Sequence, residues 1–453
     1  MKIRFRAAPA FRLAVSLALS LLIPGGASPA GAATLRLSLA DAVGLASRQA
    51  PAATLAGLDL RAAEARRAEA RSTLFPSISG AASEANRTFN SRTLGLEFPS
   101  IPGQPPFPAL VGPFDVADAR LRASETLFDP AGWARLHAAG LGVESSRAAR
   151  SAGDENAAQA AAIAYLGALR ATALLEARKS DESLAASLVD LAESQWKAGV
   201  APKIDVTRAQ TQLSAARFAV IQTRNQADRA GIELARALGA DPTQRFELAD
   251  SLSESLGRSS APDEATAAVA FAAAHRPDLA AADAEVRRTR AERSATRAER
   301  LPRIDAAGDW GLSGQSFGDA ITTREVSLAV TVPILDGFRR EGRIAEQTAL
   351  LDQATVRAGD LKSRVSAEIE EALLDLGSAH EQVALGRDRV RLAEEEVNEA
   401  RDRFKSGVAG NIEVINAQSS LDQARAADID ARYAMALARI ALARAAGVMQ
   451  SVK

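Results

Sequence analysis

The chain has 453 residues, 47% apolar and 25% charged but only 4% aromatic, a composition that suits thin seams between helices better than a bulky globular core. It holds no cysteine, which excludes disulfides, a thiolate metal site and acylation at a mature N-terminal cysteine. The net charge of −1 falls to −5 once the four basic residues of the leader are removed (−1 − 4), and nothing in that balance favours nucleic acid.

That leader is residues 1–32. Lys2, Arg4, Arg6 and Arg12 form a basic region ahead of an apolar run, Leu13 to Ile23, which is shorter than the ~20 residues a membrane span needs. Pro24-Gly25-Gly26 break the run and Ala30-Gly31-Ala32 fit a signal-peptidase site, so the chain is expected to be exported. No later segment has 18 consecutive apolar residues, and a membrane crossing would have to be made by strands.

From residue 33 the chain repeats itself. "KAGVAPKIDVTRAQ" (Lys197 to Gln210) returns as "KSGVAGNIEVINAQ" (Lys405 to Gln418), and the match runs on without a gap to "LARALG" (Leu234 to Gly239) and "LARAAG" (Leu442 to Gly447). The front parts match at a different offset, with Val43 on Val269 and Pro51 on Pro277. The extra residues of the first half fall in "EFPSIPGQPPFPALVGP", Glu97 to Pro113, whose prolines predict an exposed loop rather than a ladder or helix.

The first repeat, 33–240, is predicted to contain a helix about 40–74, strands about 77–89 and 115–128, a long helix 131–198, a tip 199–203 and a helix 204–239. A linker follows, 241–261. The second repeat, 262–447, has a helix, strands about 303–314 and 323–335, a long helix 338–406, a tip 407–411 and a helix 412–446, ahead of a tail, 448–453.

Strands are read from period two: Ile304, Ala306, Trp310 and Leu312 alternate with Arg303, Asp305, Asp309 and Ser313, and Val326, Leu328, Val330 and Val332 with Glu325, Ser327 and Thr331. One apolar and one polar face fits either a soluble sandwich or a membrane barrel. Ten of the 19 aromatic residues lie in residues 74–133 and 303–340, a concentration that favours interfacial girdles. The long helices carry no proline between Ala131 and Lys197 or between Phe338 and Lys405, and each would reach about 100 Å. Val383, Val390, Val397 and Phe404 recur every seven residues, as do Leu385 and Leu392, predicting coiled-coil seams.

Four strands cannot close a barrel, since the smallest membrane barrels have about eight. Two copies would supply eight and three would supply twelve, and the spacing chooses neither. Long helices hanging below such a barrel would enclose a duct, with each chain giving two equivalent hairpins to its mouth.

In its doubled halves, its strand pairs after "LFP" and "LP", and its two tips of the form Gly-Val-x-x-x-Ile-Asp/Glu-Val, the chain resembles the TolC-like outer-membrane efflux proteins over nearly its whole mature length. The resemblance implies a mainly helical fold with membrane β: antiparallel coiled-coil helices form an α-barrel, and four strands per chain join a twelve-stranded β-barrel in a homotrimer. It implies a passive exit duct in outer-membrane lipid, with a periplasmic adaptor and an inner-membrane pump as partners, and neither a cofactor nor catalysis.

Gly199, Val200 and Ala201, with Gly407, Val408 and Ala409, map to the turn where adaptor hairpins dock; ordinary helix capping would also place the glycines. Glu413 and Asn416, with Asp205 as the first-half counterpart of Glu413, map to the pore constriction, one of whose two usual acids is replaced here by Asn416. An acid in a helix's first turn is also favoured by the helix dipole. Ala409 stands where some members carry an arginine that closes the tip by an ion pair.

His137, His275 and His380 are scattered and predict no metal site. "AGLG" and "GLSGQSFG" lack a phosphate-loop context, and no nucleophile with its base is evident. The competing reading is a periplasmic coiled-coil adaptor or scaffold, which would not repeat its whole plan twice.

Overall fold

A computed structural model describes residues 35–95, Gly103 and 108–453. The expected signal sequence, and residues 97–102 and 104–107 of the insertion, lie outside them. The first repeat comprises β1 (Leu35–Leu37), α1 (Leu39–Gln49), α2 (Pro51–Ser72), β2 (Ser77–Asn90), β3 (Leu110–Phe128), α3 (Pro130–Lys197) and α4 (Lys203–Ala237). After β4 (Phe246–Leu248) the second repeat gives α5 (Ala265–His275), α6 (Pro277–Ala298), β5 (Arg303–Gly314), β6 (Ile321–Thr331), α7 (Arg339–Lys405) and α8 (Asn411–Ala446).

The long helices α3 and α7 run 68 and 67 residues. The leading helices differ from expectation: each breaks in two, at Pro51 and at Pro277. Proline cannot donate to the preceding turn but suits the first position of a helix, so Ala50 and Arg276 turn extended and a new helix starts behind them.

Two strand limits also need correction. β3 begins at Leu110, so Ala109 to Pro113 do not all belong to a loop; Leu110 and Val111 pair with Asn90 and Phe89 across a register shift. Pro113 is tolerated because β3 pairs with β5 only from Ala117 onward, leaving Pro113 a free side where its missing N–H is not needed. β6 ends at Thr331 rather than 335, ahead of Pro333. The parallel pair β1–β4, three residues each, binds the linker to the N-terminal segment; strands that short carry no legible alternation.

Helix contacts define a wall. Toward the tips the order is α4, α3, α8, α7; toward the sheet it is α2, α3, α6, α7. The short helices stack end to end at the waist. There Gly239 (φ +71) approaches the Gln49 carbonyl so closely that a Cβ would stand 2.8 Å from its oxygen, and Gly447 (φ +76) meets the Arg276 Cα in the same way at 2.8 Å. Residues left-handed at a helix end favour glycine, and the repeat uses one at each joint.

The waist core gathers Leu39, Val43, Leu166, Leu234 and Ile440 around the fully buried Tyr165. The Tyr165 hydroxyl lies 2.9 Å from the Leu37 carbonyl and 2.8 Å from the Asp250 carboxylate, which also accepts from the Leu39 N–H at 2.7 Å. Burial, reinforced by Asp250, pushes the Tyr165 phenol well above its ordinary range. In the second repeat Arg276, also buried, is held by Asp278 at 2.8 Å and Glu368 at 2.5 Å. A stretch of α3 is apolar enough by composition to pass for a membrane span, but α3 is packed between neighbouring helices on both sides, and seams account for its apolarity.

Candidate functional site: paired tips and an amphipathic sheet

Both long helices end in the same hydrogen-bonded turn. Gly199 N–H donates to the Trp196 carbonyl at 2.9 Å and Val200 N–H to Gln195 at 3.0 Å; Gly407 N–H donates to Phe404 at 3.1 Å and Val408 N–H to Arg403 at 3.0 Å. This is a Schellman cap, and it requires glycine at the left-handed position, φ +73 and +74. It does not require the valine side chains. Val200 and Val408 are 63% and 71% exposed, Ala201 and Ala409 half-buried beside them. A Cβ on Gly407 would stand 3.5 Å from Val200, so the two tips touch.

What joins the hairpins is neutral. Buried Gln195 donates from Nε2 to the Phe404 carbonyl at 2.8 Å, and Asn411, fully buried, donates from Nδ2 to the Asp205 carbonyl at 2.6 Å. Beneath them Leu188, Ala192, Val206, Val397, Phe404, Val414 and Leu421 form one apolar cluster drawn from all four helices. Farther up, α3 and α8 are tied by charge: Arg425 to Asp181 at 3.1 Å, Arg170 to Asp430 at 2.6 Å, and Arg178 to Asp422. Burial pushes the Asp181 carboxyl above its ordinary value even with Arg425 and Arg178 nearby.

Glu413 and Asn416 are exposed, and Glu413 accepts from Arg403 at 3.1 Å. Asp205 does not join them: it is 4% exposed, within the seam between hairpins, with Arg208 3.5 Å away. The repeat makes it the counterpart of Glu413, but the two are not equivalent in the wall: α8 of the second hairpin meets α4 at Asp205, whose carbonyl takes the Asn411 amide, while Glu413 lies on the exposed side of α8. Gln195 and Asn411 were not singled out from sequence. The available signal was their mismatch in the repeat, since Arg403 and Lys203 occupy the equivalent positions. His137, His275 and His380 sit on three different helices.

At the other end β2, β3, β5 and β6 form one antiparallel sheet in that order. Ile78, Leu121, Trp310 and Val326 belong to one face, and all are more than half exposed. The other face is polar and bonded: Arg120 reaches Asp118 and Asp309 at 2.6 Å, and Thr126 donates to Asp305 at 2.9 Å. Gly311 lets β5 approach Arg120 on β3, where an added Cβ would overlap the backbone. β2 and β6 are open edges.

The family model described as outer membrane efflux protein matches twice, over residues 43–240 and 269–448, one match to each repeat. Protein CyaE of Bordetella pertussis is 27% identical over 426 residues, covering 91% of this chain and 84% of that protein. The alkaline protease secretion protein AprF of Pseudomonas aeruginosa is 26% identical over 297 residues, 63% of this chain and 60% of that protein. The structure of the Campylobacter jejuni CmeC outer membrane channel superimposes with a TM-score of 0.76 at 16% identity, covering 92% of this chain and 86% of that one; at that identity it speaks for the fold. With the family model matching each repeat and the fold superimposing on an outer membrane channel, the chain belongs to the outer membrane efflux protein family, as an exit duct of the outer membrane whose helices extend into the periplasm.

Proposed function

We propose that the chain works as a homotrimer that passively conducts cargo delivered by an inner-membrane pump and a periplasmic adaptor, in a tripartite efflux or type I secretion assembly. The observation that carries this reading is that one protomer is an open wall. Among the described residues it has an edge of β2, α2 and α4 on one side and of β6 and α7 on the other, unpartnered in both the strand and the helix layers. Exposed strand edges and apolar helix faces demand cover. Joining the first edge of one copy to the second edge of the next covers both at once, and three copies give a twelve-stranded barrel above a ring of helices. Relatives named for efflux and for protease secretion support both kinds of assembly for this chain.

At the mouth, Gly199, Val200 and Ala201 with Gly407, Val408 and Ala409 receive the adaptor. Glu413 and Asn416 line the narrowest part of the lumen; Asp205 acts in the seam beside it. The energy comes from the pump, and the duct itself performs no chemistry.

The test is to express the chain with its leader, separate outer from inner membranes, extract in mild detergent and determine the protein mass of the particle by light scattering. A particle of three chains from the outer membrane, conducting ions in a planar bilayer, is the expected result. A soluble monomer or dimer from the periplasm would overturn the trimeric duct.

A further inference from the structure

The two tips share a backbone but not a surface. Trp196 and Phe404 occupy equivalent positions in the repeat, yet Phe404 is 1% exposed beneath the Gln195 clasp while Trp196 is 43% exposed. Val200 and Ile204 of the same tip are exposed as well, at 63% and 53%. The second tip offers only Val408 and Ile412. A partly exposed tryptophan is the residue type that most often anchors a protein interface.

Charge distinguishes the tips again. Only seven of the 55 basic residues are lysines, and three of them, Lys197, Lys203 and Lys405, lie within six residues of a tip glycine. Lys197 and Lys405 end their helices, where the dipole favours a cation. Lys203 begins α4, where the dipole opposes one, and among the described residues no carboxylate stands within 4.0 Å of it. The second repeat has Asn411 there, turned inward. Among the described residues nothing pairs with the cation at that place.

We propose that the tips are unequal docking sites. Trp196, Val200 and Ile204 are the anchoring surface for the apolar face of a partner's helical hairpin, and that hairpin sets an acidic residue against Lys203. The second tip, its aromatic residue spent on joining the two hairpins, is the weaker site. This rests on the reading that an adaptor docks at the tips.

The test places the photo-crosslinking residue benzoylphenylalanine at Ile204 and, separately, at the equivalent Ile412 in the full-length protein in cells, and identifies crosslinked peptides by mass spectrometry. The expected result is a crosslink from Ile204 to a helical hairpin of another exported protein, with an acidic residue beside its apolar face, at about tenfold the yield from Ile412. In the Ile204 background, Trp196→Ala lowers that yield about 30-fold and Trp196→Phe much less. Lys203→Glu weakens capture and reversal of the partner's acid to lysine restores it. Equal capture at both tips, or no effect of Lys203→Glu, overturns the inference and leaves tip docking standing. Crosslinks from Ile204 only to a second copy of this chain overturn it as well, marking that surface as a self-interface. Absence of any exported partner at either tip sinks this inference together with the adaptor reading.

Discussion

Among single residues, glycines with the same backbone angle do different work. Gly199 and Gly447 both lie near φ +75, but nothing stands within 4 Å of a Cβ on Gly199, whereas one on Gly447 would meet the Arg276 backbone at 2.8 Å. Gly199→Ala should therefore cost only the left-handed strain, about 1 kcal/mol, and Gly447→Ala about 3 kcal/mol because the waist joint must also open. Thermal unfolding of the detergent-solubilised variants measures the difference; equal losses would mean that the joint is slack. The glycines were legible in the sequence, since a helix ending in Gly ahead of a second helix has few other readings. The amide clasp was not. Gln195 and Asn411 look like surface residues until the fold puts a neighbouring backbone carbonyl within reach of each, and Asp205 was misplaced for the same reason, its burial being set by the other hairpin.

Secondary-structure elements show how a period can be right while its meaning stays open. Of the heptad Val383, Val390, Val397 and Phe404, three are buried between α7 and its neighbours in the wall and Val390 is half-buried against the same seam. Leu385 and Leu392 keep the same period yet are 70% and 55% exposed, so they belong to no seam within the chain. They continue a face of α7 that also holds Val356 and Leu374, because steps of 18, 11 and 7 residues return close to the same side of a helix. α7 is one edge of the wall, and the other edge offers Leu55 and Leu58 on α2 and Phe218 and Ile221 on α4. Leu385→Glu combined with Leu392→Glu should leave the protomer folded but remove about 1–2 kcal/mol per leucine from each contact between copies. The expected readout is a particle mass shifting toward single chains with unchanged helical circular dichroism. Val383→Glu, two residues away but 2% exposed, should instead lower helicity. If the leucine pair left the mass unchanged, α7 would not be a seam between copies. Sequence alone could not sort these seams, since periodicity reports that a face is apolar and not whether its cover comes from the same chain.

The whole molecule joins two solvents. Its helices carry charge along their outer faces, while the sheet presents Ile304, Trp310, Val326, Leu328 and Val330 to the outside on one face. Rows of paired residues set the limits of this band. The upper row runs Gly80, Leu121, Trp310, Arg324 and the lower row Phe128, Ile304, Val330, six residues apart on β5 and hence about 20 Å along the strand, close to the apolar band of a membrane barrel. Glu125, paired with Ala306, is the exception near the lower margin. Phe128 reaches that row only because the register shifts between Thr126 and Phe128, and Trp133 packs on it edge to face at 5.4 Å, so an irregularity hidden from sequence completes an aromatic margin that composition had suggested. If this face meets lipid, Val326→Arg, in the middle of the band, should cost about 2–4 kcal/mol per chain, and it should lower the folded, heat-modifiable fraction in the outer membrane sharply. Ser327→Arg, the next residue but on the polar face, should assemble almost normally. Equal damage from both would place protein, and not lipid, against the apolar face, and equal tolerance would place water there; only the unequal outcome fits a strand with hydrocarbon on one side and an aqueous duct on the other.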